Sequence, residues 1–123
     1  MNRSRPLVLL VDDEEDFLNV TELLLEMEGF VVKATSDSVD AVRHVQEQAV
    51  VPDIVMLDHR MPRLSGPEAL RQMREAGLQA PALLVSAIQD IEAEAARHGF
   101  DACLPKPFSL EQLSSALRQL SRR

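Results

Sequence analysis

The chain has no tryptophan, no tyrosine and a single cysteine, Cys103, among its 123 residues. One thiol excludes an internal disulfide and fits a reducing compartment, so a cytoplasmic protein is expected. Four phenylalanines are the whole aromatic set, which leaves little for stacking on bases. Positive charge is also scarce: 13 basic residues against 20 acids leave a net charge of -7. Nucleic acid and anionic membrane would repel such a surface, and neither is expected as a direct partner. No apolar run approaches the ~20 residues that a membrane helix needs. The opening "MNRSRPLVLLVDDEE" passes from a short apolar run straight into acids, without the longer apolar region and small-residue cleavage site of a signal peptide. Only two lysines, Lys33 and Lys106, stand against eleven arginines.

What is present suits one ordinary globular domain. Apolar residues make up 46% and charged residues 27%, and the length suffices for one buried core. No linker, internal repeat or low-complexity segment interrupts the chain, and residues 1–123 read as one domain.

Five short apolar runs recur: "LVLLV" at 7–11, "FVVKA" at 30–34, "DIVML" at 53–57, "ALLVS" at 82–86 and "DACL" at 101–104. Helical periodicity fills the gaps. Phe17, Val20, Leu24 and Met27 share a face in the first gap, and Leu110, Leu113, Leu117 and Leu120 share one after the last run. Val42 with Val45, Leu70 with Met73, and Ile91 with Ala95 give weaker stripes between. Ser65 to Glu68 and Ser109 to Gln112 both have the spacing of a capping box, and Pro67 suits a first helical turn. Gly29, Gly77 and Gly99 stand where helices should stop. Strands apolar throughout imply a parallel sheet covered on both faces. The expected fold class is α/β, a five-stranded sheet in (βα)5 order.

In such sheets ligands bind beyond the carboxyl ends of the strands. The first run ends in Asp12 and Asp13, the third in Asp58 and the fourth in Ser86; the fifth is followed by Pro105 and Lys106. Each has a plainer explanation alone, since acids favour helix starts and lysines favour surfaces. Together they put three carboxylates, a hydroxyl and an ammonium on one rim. Clustered carboxylates repel, and one takes up a proton unless a cation relieves them. All-oxygen ligands on an open rim suit a hard divalent ion, Mg²⁺ most naturally. Asp58 can then act as a nucleophile on phosphorus, with Lys106 offsetting charge and Ser86 bonding a phosphoryl oxygen. The rim reads as a phosphoryl-accepting site.

At these residues the chain resembles the receiver domain of two-component response regulators. The matching pieces are "LLVDDEE", "DIVMLDHRMPRLSGPEAL", "PALLVSA" and "GFDACLPKPF", in family order and spanning residues 7 to about 120. The resemblance implies a flavodoxin-like fold with strand order 2-1-3-4-5 and helices on both faces. It implies that Asp58 takes a phosphoryl group from a sensor histidine kinase, a histidine phosphotransfer protein or a small phosphodonor. Asp13 and Asp58 would bind Mg²⁺ directly, Asp12 chiefly through water, and the backbone carbonyl of Arg60 would complete the set. Lys106 would pair with the phosphoryl group, and its bond to Pro107 is usually cis in such domains. Ser86 would be the switch hydroxyl. Such a domain is a phosphorelay component that modifies itself, not an enzyme for external substrates. It switches conformation over its fourth helix, fifth strand and fifth helix, here about Asp90 to Leu120, to control an effector or a linked output domain.

Some positions depart from the pattern. The switch aromatic, usually Tyr or Phe three residues before the lysine, is Cys103, which is either a buried small residue or a reactive thiol. Arg60 and Ile88 occupy positions that tune water access in this family, and a long cation with a branched side chain there is expected to slow phosphate loss. His59 reads as a surface or kinase-contact residue. The last helix, "SLEQLSSALRQLSRR", lacks the mid-helix arginine common in winged-helix regulators, so a monomer or weak dimer is expected. A haloacid dehalogenase-type phosphohydrolase would need a second aspartate where Arg60 stands. A flavin carrier would need hydroxyls and glycines where Asp12 and Asp13 stand. A receiver used only for binding would not need every phosphorylation residue, and here each is present.

Overall fold

Among the described residues ten elements alternate strictly: β1 (Leu7–Val11), α1 (Glu15–Met27), β2 (Val31–Thr35), α2 (Ser38–Gln46), β3 (Ile54–Asp58), α3 (Gly66–Glu75), β4 (Ala82–Ser86), α4 (Ile91–Arg97), β5 (Ala102–Pro105) and α5 (Leu110–Ser121). This computed structural model describes residues 5–122; residues 1–4 and 123, which the one-domain range includes, lie outside the described residues. All strand pairings are parallel and the order is β2-β1-β3-β4-β5, the flavodoxin-like arrangement that the resemblance implied.

The apolar runs are explained by burial on both sides. Successive side chains of a strand face opposite ways. Leu9, Val11, Val55, Leu57 and Leu84 face α2 and α3, where they meet Ala41, Val42, Leu70 and Met73. Val8, Leu10, Ile54, Met56 and Leu83 face the other way, toward Leu18 and Leu25 of α1 and Leu113 and Leu117 of α5. Every residue of β3 and β4 is buried. No helix among the described residues is long and apolar enough to cross a membrane.

Several local expectations shift. The second, third and fifth strands begin one residue after their apolar runs, at Val31, Ile54 and Ala102. Phe30 is buried in the core, yet its N–H closes the end of α1 on Leu25 O at 3.0 Å. Asp53 and Asp101 instead clamp neighbouring strands. Their Oδ2 atoms accept from Leu7 N at 2.7 Å and Ala82 N at 2.8 Å. These carboxylates satisfy strand-start donors that would otherwise be orphaned.

The α1 stripe is also displaced. Leu18, Thr21 and Leu25 are buried, whereas Val20 is 58% and Met27 74% exposed. Phe17 and Leu24 flank the buried stripe and stay half-buried. Of the two capping boxes, Ser109 with Gln112 is complete. Ser65 accepts from Glu68 N at 3.3 Å, but the Glu68 carboxylate turns outward to Arg71, so that box is half made. Gly29, Gly77 and Gly99 follow α1, α3 and α4 with positive φ, as their places implied.

Candidate functional site

Parallel pairing fixes where the polar strand ends meet. Asp12 follows β1 directly, Asp58 closes β3, Ser86 closes β4 and Lys106 follows β5. Asp58 is in register with Val85, and Ser86 with Pro105, so all four lie at the same end of the sheet. Asp12 is fully buried, Ser86 nearly so, and Asp58 is 9% exposed. One carboxylate oxygen from each of Asp12, Asp13 and Asp58 lies within 4.8 Å of the other two.

Lys106 is anchored among these acids. Its Nζ is 2.8 Å from Asp12 Oδ2, 3.7 Å from Asp58 Oδ2 and 3.8 Å from Glu14 Oε1. Burial disfavours its charge, but the Asp12 hydrogen bond and the charges of Asp58, Asp12 and Glu14 outweigh that and hold the ammonium above its ordinary range. Nζ also sits 4.4 Å from the centre of the Phe17 ring, a cation–π contact. Phe108 packs edge-on to that ring at 5.9 Å. The Lys106–Pro107 bond is cis.

Asp58 holds its proton more readily than an ordinary aspartate. Burial is the main cause, and repulsion from Asp12 and Asp13 adds to it; Lys106 and the His59 N–H pull the other way. Its Oδ1 accepts from His59 N at 2.8 Å. Asp12 shapes the loop after β1, because its Oδ1 accepts from Glu14 N at 3.0 Å while Oδ2 takes Lys106. Ser86 Oγ accepts from Ile88 N at 3.2 Å, and its carbonyl accepts from Lys106 N at 2.9 Å. One ammonium thus faces three clustered carboxylates, whose repulsion adds to the burial that raises the proton affinity of Asp58. This all-oxygen, partly open donor set has the chemistry of a hard-cation site.

An open cleft of about 760 Å³ lies over Asp58, lined by Glu14, Arg60, Ser86, Ile88, Glu94 and Lys106. Arg60 stands on the exposed loop two residues past Asp58. Glu94 was not legible as a site residue. It reaches the cleft from α4 and meets His59 Nε2 at 2.8 Å. His59 is accordingly half-buried and held by α4, not a free surface residue. Its distance of 35 positions from Glu94 leaves no local signal in the chain.

Residues 8–118 match the family described as the response regulator receiver domain. The chain belongs to this family. Among curated relatives, the transcriptional regulatory protein TrcR of Mycobacterium tuberculosis is 36% identical over 118 residues, covering 94% of this chain and 45% of that protein. The response regulator MprA of Mycobacterium ulcerans is 36% identical over the same length, with 94% and 50% covered. The chain therefore spans about half the length of these relatives. The receiver domain of Francisella response regulator 1452 superposes with a TM-score of 0.88 at 26% identity, covering 97% and 98% of the two chains. The receiver domain of the sensor histidine kinase PA1611 from Pseudomonas aeruginosa, with a magnesium ion coordinated in its active-site cleft, superposes at 0.86 with 26% identity and 98% and 100% covered.

In this receiver domain Cys103 packs half-buried against the core on the α4 side. Burial, and secondarily the Glu92 charge, push its thiol up, so the thiolate that carries cysteine reactivity is disfavoured.

Proposed function

We propose that Asp58 accepts a phosphoryl group from a sensor histidine kinase or a histidine phosphotransfer protein, with Mg²⁺ held by Asp12, Asp13, Asp58 and the backbone carbonyl of Arg60. The observation that carries this reading is the meeting of three carboxylate oxygens within 4.8 Å beside a half-buried lysine that follows a separate strand. Bound there, Mg²⁺ neutralises acid charge and offers open positions to phosphoryl oxygens.

The chain's own residues do the rest. A carboxylate oxygen of Asp58 forms the new bond to phosphorus, and the bond from phosphorus to the donor breaks. The electron pair leaves with the donor, as acetate from acetyl phosphate or as imidazole from phosphohistidine. The His59 N–H fixes Asp58 Oδ1 and so orients the carboxylate for attack. Lys106 holds its proton throughout, so its charge is available to the transferred group. Ser86 lies on the adjacent strand; its Oγ accepts from Ile88 N at 3.2 Å, which leaves the hydroxyl proton to donate to a phosphoryl oxygen. A Ser86 side chain that turns toward the phosphoryl group draws its oxygen away from Ile88 N, on the loop that leads into α4, which links the chemistry to a change of conformer.

On this reading residues 1–123 form one receiver domain that modifies itself stoichiometrically and turns over no external substrate. It works in the cytoplasm, as monomer or weak dimer, and passes its state to an effector or linked output domain through the surface from Asp90 to Leu120. Nucleic acid is not its direct partner.

Incubation with acetyl phosphate and Mg²⁺, followed by intact-mass measurement, tests the chemistry. The wild type gains one phosphoryl group, and Asp58→Asn gains none. An equal gain in the variant places the nucleophile elsewhere.

A further inference from the structure

Helix α4 is the least anchored of the five. It has seven residues, begins at Asp90 in the left-handed region with φ 55° and no side-chain cap, and buries only Ile91 and Ala95. By contrast α3 buries five residues behind the Ser65 cap. Side-chain ties should therefore matter most at α4.

One such tie leads straight to the phosphoacceptor. Glu94 Oε1 pairs with Arg97 at 3.0 Å, and Oε2 meets His98 at 3.3 Å, both neighbours on the same stretch of chain. Its remaining partner, His59, belongs to the loop after β3. An ionised carboxylate only accepts, so His59 Nε2 carries the proton and donates. The same histidine donates its backbone N–H to Asp58 Oδ1 at 2.8 Å, and its carbonyl accepts from Gly66 N at 2.8 Å. The ring Nδ1 is buried without a partner among the described residues, so Glu94 is the ring's sole hydrogen-bond anchor there. His59 thus bridges Asp58 to α4 with one residue.

We propose that the His59–Glu94 pair is a latch, holding α4 against the phosphoacceptor loop while Asp58 is an unmodified carboxylate and releasing it when the phosphoryl group arrives. This inference rests on the function proposed above. Two effects give its direction. Converting the Asp58 carboxylate to an acyl phosphate removes charge from the oxygen that His59 N–H bonds, and charge-assisted hydrogen bonds are the stronger kind. The phosphoryl group also brings new negative charge into the cleft that Glu94 lines. Like charges there push Glu94, and α4 with it, away from the loop. The latch gives α4 a route to the site that does not pass through position 103, where a cysteine leaves no ring to swing.

Amide hydrogen exchange across Ile91–Arg97, with and without acetyl phosphate in Mg²⁺, provides the test, with intact mass reporting the phosphoryl group and α1 amides reporting the fold. In the wild type, phosphorylation speeds α4 exchange by about fivefold, the low end of ordinary coupling between sites. Glu94→Ala exchanges at the fast rate in both states. Glu94→Gln keeps an acceptor for Nε2–H without the charge, starts as slow as the wild type, and responds less to phosphorylation, because only the weakening at Asp58 Oδ1 remains. The latch is refuted by wild-type α4 exchange that is unchanged on phosphorylated protein, or by Glu94→Ala staying as protected as the unmodified wild type. No mass gain on the wild type overturns the phosphoacceptor reading and the latch with it; a normal gain with unresponsive α4 overturns the latch alone.

Discussion

Gly66 presses its α-carbon onto the end of the strand that carries Asp58: a Cβ added at Gly66 would lie 2.0 Å from the Asp58 backbone oxygen. The Gly66 N–H meanwhile donates to His59 O at 2.8 Å. The start of α3 and the carboxyl end of β3 are thus in direct backbone contact, and no side chain can yield to make room. Gly66→Ala must shift α3 or bend the Asp58 loop. Overpacking of this kind costs about 1–3 kcal/mol. Urea unfolding is expected to show that loss, and acetyl phosphate labelling of Asp58 is expected to slow with it. Stability within about 0.5 kcal/mol of wild type, the spread of ordinary surface changes, would contradict the contact.

Asp58→Asn is expected to stabilise the apo protein at neutral pH. Burial and the neighbouring Asp12 and Asp13 raise the Asp58 pKa on folding. A carboxyl with a raised folded pKa stabilises the fold below the unfolded value and loses that contribution as pH climbs through the folded value. Asparagine carries no such loss. The variant should match wild type near pH 4 and melt higher above it. The melting temperature of the variant should exceed that of wild type by a margin that grows with pH until folded Asp58 is ionised. Mg²⁺ should reverse the order, because it stabilises the folded wild type by mass action and the variant lacks one ligand. Thermal melts across pH, with EDTA or Mg²⁺, distinguish these outcomes; a variant less stable than wild type in EDTA at pH 7 would contradict the electrostatics.

The sheet was legible because β1, β3 and β4 are buried on both sides and must be apolar at nearly every residue. The rim was legible because polar groups at strand ends interrupt those runs abruptly, as Asp58 does after Leu57. Strand order was not locally encoded: nothing in "LVLLV" says that it lies between the second and third strands, and the order came from family resemblance. The α1 face was misplaced for a physical reason. Phe17, Leu18, Val20, Leu23, Leu24, Leu25 and Met27 offer two overlapping apolar stripes, and only packing on β1 and α5 selects the one through Leu18 and Leu25. Glu94 was invisible because its role depends on a ring that the fold brings to it from another loop.

The selected stripe makes a sharp comparison. Leu25 has no exposed surface, whereas Met27 is 74% exposed, two residues away on the same helix. Leu25→Ala removes packing against the α5 side of the core and should cost about 2–5 kcal/mol. Met27→Ala should change stability by less than about 0.5 kcal/mol. Paired urea titrations decide the point. Equal losses would restore the stripe first read from the sequence.

Arg60 and Ile88 flank the cleft above Asp58 from two different loops. An acyl phosphate is lost when water reaches phosphorus opposite the Asp58 oxygen, and that water must enter through the open face of this cleft. Arg60, with its long guanidinium side chain, and the branched Ile88 both line that cleft. Ile88 also packs on the core through its half-buried side chain, which limits how far it can swing aside. Shortening both residues to alanine should leave Asp58, Lys106 and Ser86 in place while opening the path to water. The phosphoryl group should then be lost several-fold faster than from wild type. Intact mass followed over time, after the phosphodonor is removed, measures this directly. Equal decay in the double variant would mean that water enters by another route and that these two side chains do not set the lifetime.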